Sequence, residues 1–267
     1  MTKTRIAIHG AAGRMGHRLV ALTAADQELQ LTAAIDSPGH ARLGEDAGAL
    51  AGVGTLGVNL SDQLPAAGGF DAVIDFSVPK AALALIEVCV ARKLPLVLAT
   101  TGFDKAGEEA IRQAAKTIPL LWSPSMSLAV NLTMKLTEIA AKALAGQPGG
   151  VDVEIIERHH RFKEDSPSGT ALKFGQIIAE VMGQTVHQHG REGRPGQRPR
   201  NEIGYHAVRV GDNPGEHTII FGLLGETIEL KVDATNRDAY VHGALAAAKF
   251  LHGKKPGLYG MRDVLGI

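Results

Sequence analysis

The sequence predicts an α/β chain in which a parallel-sheet domain is interrupted by an inserted α+β domain. Short β-like apolar runs alternate with amphipathic helical stretches through the first half, and parallel strands need such crossovers. The pattern breaks after Ser123-Pro124-Ser125, where a long helix leads towards three β-like runs separated by short turns. A last helix, about Asp238 to Leu251, returns to the alanine-rich style of the first half. The first domain is therefore expected over residues 1–127 and 237–267, and the inserted one over 128–236.

Arg5 to Ile8 reads as the first strand, followed by a helix from about Arg14 to Ala25. Leu29, Leu31, Ala33 and Ile35 alternate in a second strand that ends at Asp36, as a pleated strand requires. Residues 41–69 are glycine-rich, weakly periodic and expected to be irregular. Ala72 to Phe76 forms a strand, and Pro79 suits the first turn of a helix running to about Arg92. Strands at Leu94–Ala99 and Ile118–Trp122 flank a helix from about Asp104 to Lys116. The long helix, about Leu128 to Ala145, stops at the breaker cluster Gly146-Gln147-Pro148-Gly149-Gly150. A strand from Val151 to Ile156, a histidine-rich loop and a helix from Gly169 to Met182 follow. Residues 190–201, with Arg191, Arg194, Arg198 and Arg200 among glycines and prolines, read as a long surface loop. The runs Gly204–Val210, His217–Leu224 and Thr227–Val232 are close enough to pair antiparallel.

At 267 residues with 28 acidic and 28 basic side chains, the chain can bury a large core and carries no net charge to attract nucleic acid or an anionic membrane. No run of roughly 18 apolar residues predicts a membrane span, and Met1 to Arg5 lead straight into a strand without a signal-peptide core. Cys89 is the single cysteine. A buried, inert thiol and a reducing cytoplasm are expected.

The turn Gly10-Ala11-Ala12-Gly13-Arg14-Met15-Gly16 joins the first strand to the first helix. It is G-x-x-G-x-x-G, with Ala11 where the usual dinucleotide fingerprint has its first glycine. Gly13 lets a pyrophosphate approach the backbone, Gly16 lets helix pack on strand, and the helix N-terminus faces the phosphates. Asp36 stands about 20 residues beyond Gly16, placed to accept from ribose hydroxyls. These features predict a Rossmann-type domain holding NADH or NADPH through Gly10, Ala11, Ala12, Gly13, Arg14, Met15 and Asp36. Ser37-Pro38 follow Asp36 without an immediate arginine, which favours NADH, although His40 and Arg42 stand nearby as alternatives for a 2′-phosphate. Ala99-Thr100-Thr101 and Ser123-Pro124-Ser125-Met126 end the next two parallel strands, where such folds hold ligands. They are candidates for the nicotinamide end.

The stretch Glu157 to Thr170 gathers His159, His160 and Lys163 ahead of Ser168-Gly169-Thr170, a helix start. Imidazoles exchange protons near neutral pH, and a helix N-terminus offers free N–H groups to an anion. Together they point to a pocket that moves a proton on a small carboxylate-bearing molecule. Each residue alone would suit a solvated loop; the cluster as a unit favours chemistry. His187 and His189 lack partners at ligand spacing, so no metal is expected.

The blocks GAAGRMG, ATTGF, ERHHRFKEDSPSGTAL and GMRDVLG together resemble the bacterial 4-hydroxy-tetrahydrodipicolinate (dihydrodipicolinate) reductase family, over essentially the whole chain. The resemblance implies NADH- or NADPH-dependent formation of tetrahydrodipicolinate in lysine biosynthesis. It also implies a Rossmann domain joined to a substrate-binding and oligomerisation domain, assembled as a homotetramer. Carried over by motif, His159 is the general acid and Lys163 the second proton donor or anion anchor. His160, Ser168, Gly169 and Thr170 bind the substrate's carboxylates. Ser125-Met126 depart from the Asn-Phe pair usual in that family's loop, which makes the ring contact less aromatic. The rival expectations are a sugar or amino-acid dehydrogenase of the same architecture, and a non-enzymatic NAD(H) sensor.

Overall fold

A computed structural model describes residues 2–66 and 69–267. Residues 67 and 68, inside the stretch expected to be irregular, and residue 1 lie outside the described residues. The chain divides into two compact units, Met1–Leu128 with Asp238–Ile267, and Ala129–Arg237.

In chain order the first unit opens with β1 (Thr4–His9), α1 (Arg14–Ala25), β2 (Leu29–Ile35), α2 (Ala47–Leu50) and β3 (Leu60–Ser61). It continues with β4 (Ala72–Asp75), α3 (Pro79–Arg92), β5 (Leu96–Leu98), α4 (Lys105–Ala114) and β6 (Pro119–Trp122). Helix α5 (Leu128–Leu144) leads into the second unit, which holds β7 (Asp152–His159), α6 (Gly169–Met182), β8 (Val186–His189), β9 (Glu202–Arg209), β10 (Gly215–Leu223) and β11 (Glu226–Ala234). The chain ends in α7 (Asp238–Leu251), β12 (Gly257–Tyr259) and α8 (Met261–Leu265) of the first unit.

The first sheet has the order β12-β6-β5-β4-β1-β2-β3 and is parallel throughout. Apart from β12, this is the doubly wound Rossmann order, which reverses between β1 and β4. Alternation along β1 sends Ile6 and Ile8 to one face, against α1 and α7, and Ala7 to the other, against α3 and α4. The sheet is thus covered on both sides, which is why its strands read as continuous apolar runs. Burial pushes the Cys89 thiol on α3 up to about 12, the inert state expected of it.

Two stretches of the first unit differ from expectation. Residues 41–69 contain α2 and β3, whose order comes from polar capture of backbone and not from hydrophobic periodicity. The Asp46 carboxylate accepts from the N–H groups of Gly48 (2.9 Å), Ala49 (3.0 Å) and Gly57 (2.7 Å). Strand β12 was also unanticipated. At three residues it is too short to show a period, and it exists because it extends the sheet beside β6.

The second sheet has the order β11-β10-β7-β9-β8. The three consecutive runs do not all pair with one another as expected. Strands β10 and β11 form an antiparallel hairpin, but β7 sits between β10 and β9 and runs parallel to β9. Its inner face, including Val153 and Ile155, packs with Phe221 and Tyr205 against Phe174 and Ile178 of α6. The arginine-rich loop is fastened to this sheet: Arg198 Nε lies 2.9 Å and Arg191 Nη2 2.7 Å from Glu154 Oε1. Burial opposes ionisation of Glu154, but bonds from Arg191, Arg198 and His206 hold its carboxyl down to about 2.

A Cβ on Gly243 of α7 would lie 1.7 Å from the carbonyl oxygen of Met126. Overpacking of this kind costs about 1–3 kcal/mol, against about 1 kcal/mol that alanine gains in helix propensity. Gly243→Ala is therefore expected to lower the urea midpoint of unfolding. An unchanged midpoint would show that α7 can move off the loop.

Candidate active site

In the first unit the glycines of the turn are fixed by contact. Gly10 has φ +80°, and a Cβ there would lie 2.6 Å from Phe76 O; one on Gly16 would lie 2.1 Å from Gly10 O. Gly13 caps α1 without a side-chain hydrogen bond, leaving the first-turn N–H groups of the helix for an anion. Asp36 Oδ2 accepts from Ala12 N at 2.9 Å and Oδ1 from Ser37 N at 2.8 Å, which ties the end of β2 to the turn.

A cavity of about 780 Å³ opens beside this turn, a volume suited to a cofactor-sized ligand. Gly10, Ala12, Gly13 and Asp36 line it, together with the apolar Phe76, Val78, Leu85 and Val88. The cradle, the carboxylate and the slot fit a dinucleotide. The remaining expected residues are disposed differently. Ala11 and Met126 are buried in the core, and Met15 and Ala99 pack against it. Arg14, Thr101 and Pro124 are exposed, while Ser123 is buried with its hydroxyl donating to Ser125 O at 2.7 Å. Thr100 is buried and donates to Asp75 Oδ2 at 2.5 Å.

In the second unit His159 closes β7 as a strand residue. The expected strand end at Ile156 falls short because Glu157 and His159 keep the pleat's inward alternation. Glu157 is fully buried, with Oε2 2.6 Å from His159 Nδ1. Its carboxylate also accepts from Arg209 through both Nη1 (2.8 Å) and Nη2 (2.7 Å), and from Ser168 N at 3.0 Å. Holding Nδ1 this way leaves Nε2 of His159 as the ring nitrogen not engaged by Glu157.

Ser168 caps α6, accepting from Ala171 N at 3.1 Å, and its hydroxyl lies 2.9 Å from His217 Nε2. Gly169 and Thr170 begin the helix, and the space at Gly169 is open. Lys163 pairs with Asp165 at 2.7 Å, and Arg209 Nη2 donates to Asp165 O at 2.8 Å. The His160 ring stands 6.2 Å from that of Phe162, with its Nδ1 buried and unbonded among the described residues. His159, Ser168 and Lys163 thus belong to one connected network.

Glu157, Arg209 and His217 were absent from the expected site. Glu157 lies two residues from His159, so strand alternation would have placed the two side chains on one face. Arg209 and His217 arrive through pairing: Arg209 registers with His159 and His217 with Glu157. Burial lowers the His159 value, and the hydrogen bond and charge of Glu157 only partly restore it. Burial, with nearby His159 adding to it, takes His217 down to about 4.

A Rossmann sheet with a glycine cradle, coupled in one chain to a buried imidazole–carboxylate pair, defines the class: a two-unit, nucleotide-binding oxidoreductase. The family pattern described as "Dihydrodipicolinate reductase, N-terminus" matches residues 4–126, and "Dihydrodipicolinate reductase, C-terminus" matches residues 129–265. A 4-hydroxy-tetrahydrodipicolinate reductase from Rhodopirellula baltica is 58% identical, the match covering 98% of this chain and 96% of that one. Another, from Alkalilimnicola ehrlichii, is 46% identical over 99% of each. A dipicolinate-bound dihydrodipicolinate reductase from Paenisporosarcina sp. TG-14 shares the fold, with a TM-score of 0.74 at 24% identity over 98% of this chain and 99% of that one. The chain belongs to the dihydrodipicolinate reductase family.

The native fold keeps His217 neutral from its ordinary 6.5 down to about 4. The unfolded chain binds that proton at higher pH, so this group's contribution to stability falls as pH drops from about 6.5 towards 4. Side-chain ¹⁵N titration is expected to place His217 near the lower value. A midpoint near 6.5 would contradict its buried, Ser168-bonded setting.

Proposed function

We propose that this protein reduces 4-hydroxy-tetrahydrodipicolinate, by way of dehydrated dihydrodipicolinate, to tetrahydrodipicolinate in the diaminopimelate route to lysine. The observation that carries the proposal is the buried Glu157–His159 pair adjoining the open N-terminus of α6. Bound NADH or NADPH supplies the hydride. His159, its ring fixed by Glu157, donates a proton from Nε2 to the negative, enamine-like charge that hydride addition leaves on the substrate. Such proton transfer contributes of order 10²–10⁴-fold in rate. Lys163 is the second proton donor or anion anchor. His160, Ser168 and the N–H groups of Gly169 and Thr170 receive the two carboxylates, where the helix dipole adds attraction.

In the first unit Gly10 to Met15 would cradle the pyrophosphate and Asp36 the adenosine ribose, with Thr100, Thr101 and the loop Ser123–Met126 towards the nicotinamide. We favour NADH. Asp36 faces the cavity and would repel a 2′-phosphate, and the guanidinium of Arg42 is engaged by Glu45. The reductase would act as a homotetramer in the cytoplasm. Ile156 and Val208, exposed on the second sheet, support its use as an assembly surface, and the lone thiol Cys89 suits a reducing compartment.

His159→Gln is expected to lower kcat at least a hundredfold with a modest change in KM, and Lys163→Ala to lower kcat and raise substrate KM. The assay is NADH oxidation with freshly condensed pyruvate and aspartate semialdehyde; near-normal turnover in both variants would remove the assigned chemistry. Titration of both cofactors at fixed salt should give the lower Kd for NADH. Markedly tighter NADPH binding would refute the preference.

A further inference from the structure

The reductase reading leaves one buried cluster of the first unit unused. His9 is the last residue of β1 and Asp75 the last of β4, and the two are register partners in the parallel pair. Asp75 is fully buried, with Oδ1 2.6 Å from His9 Nδ1. Its other bonds come from hydroxyls, Ser77 Oγ to Oδ1 at 2.7 Å and Thr100 Oγ1 to Oδ2 at 2.5 Å. Ser77 N in turn donates to Thr100 Oγ1 at 3.1 Å. The carboxylate therefore ties together the C-terminal ends of β1, β4 and β5, at the point where the strand order reverses.

His9 lines the 780 Å³ cavity, and its side chain retains 12% exposure. With the Nδ1 proton committed to Asp75, the other ring nitrogen, Nε2, is left for a ligand. Two polar chemistries share that position: protonated, the ring donates to a diphosphate oxygen; neutral, Nε2 accepts from a ribose hydroxyl. Both groups belong to the diphosphate–ribose linker of a dinucleotide. The adenosine ribose has its own partner, Asp36, one strand away at the end of β2. The linker has to cross from the N-terminus of α1 over the ends of β1 and β4, which is where His9 stands.

We propose, on the reductase reading above, that His9, held by the buried Asp75, is a cofactor-binding residue that contacts the diphosphate–ribose linker of NADH or NADPH. It is distinct from the glycine cradle and from the ribose carboxylate, and nothing in the turn's spacing requires a histidine there. Asp75, which touches no ligand, positions the ring.

Calorimetric titration of the full chain with NADH, ADP-ribose and adenosine separates the parts of the cofactor. His9→Ala is expected to weaken NADH and ADP-ribose about tenfold, the loss of one good polar contact, and to leave adenosine within about twofold. A thermal melt checks the fold; should His9→Ala be unfolded, His9→Asn, which keeps a polar group for Asp75, carries the same comparison. Unchanged affinity for ADP-ribose, or an equal loss for adenosine, would overturn the assignment of His9 while leaving the reductase reading intact. A wild-type chain that binds neither NADH nor NADPH would instead overturn that reading and the role of His9 with it.

Discussion

Burial of an ionised carboxylate is costly unless each of its lone pairs meets a donor, and the second unit's site is organised around that constraint. Glu157 satisfies it with donors from three places: the imidazole of His159 on its own strand, the guanidinium of Arg209 on β9 and the backbone N–H of Ser168 at the start of α6. Losing one would leave charge uncompensated, so strand, neighbouring strand and helix start are held in mutual register. Burial opposes ionisation of Glu157, and the bonds from Arg209 and His159 keep its carboxyl below the ordinary range. The charge is thereby available to orient an imidazole.

Orientation is what such a pair contributes to proton transfer. A lone histidine would rotate and exchange tautomers, whereas His159 has one nitrogen fixed and is packed by His217, whose ring centroid lies 5.2 Å away in an edge-to-face arrangement. Gly215 completes the enclosure: a Cβ there would lie 2.9 Å from His159 Nε2. Any side chain at that position would press on the His159 ring. The opposing effects on His159, burial against a neighbouring carboxylate, are the arrangement by which proteins tune proton donors.

The first unit repeats the device with different chemistry. Asp75 joins three strand ends as Glu157 joins two strands and a helix, and in both units the carboxylate's donors include a histidine. Around it, sterics set the outline of the glycine turn beside the cavity. Gly10 and Gly16 approach backbone so closely that a methyl group would collide, while the helix start beside Gly13 remains open to phosphate.

Local signals were strong in the sequence wherever one segment contained its own cause. The glycine turn, Pro79 at a helix start, the Ser168 cap and the helices Arg14–Ala25, Gly169–Met182 and Asp238–Leu251 are legible because capping, sterics and the 3.6-residue period act within a few residues. So was the residue block that carries the family resemblance. Illegible were the strand order of the second sheet, with β7 between β9 and β10, the β12 edge, and the partners Arg209, His217 and Asp75. Those depend on pairing between segments tens of residues apart, and nothing local distinguishes an arginine that will meet a buried carboxylate from one that will face water. The chain's own letters determined its elements and its chemical vocabulary; the tertiary fold alone decided which charges are desolvated together, because desolvation is a property of what surrounds a residue in space.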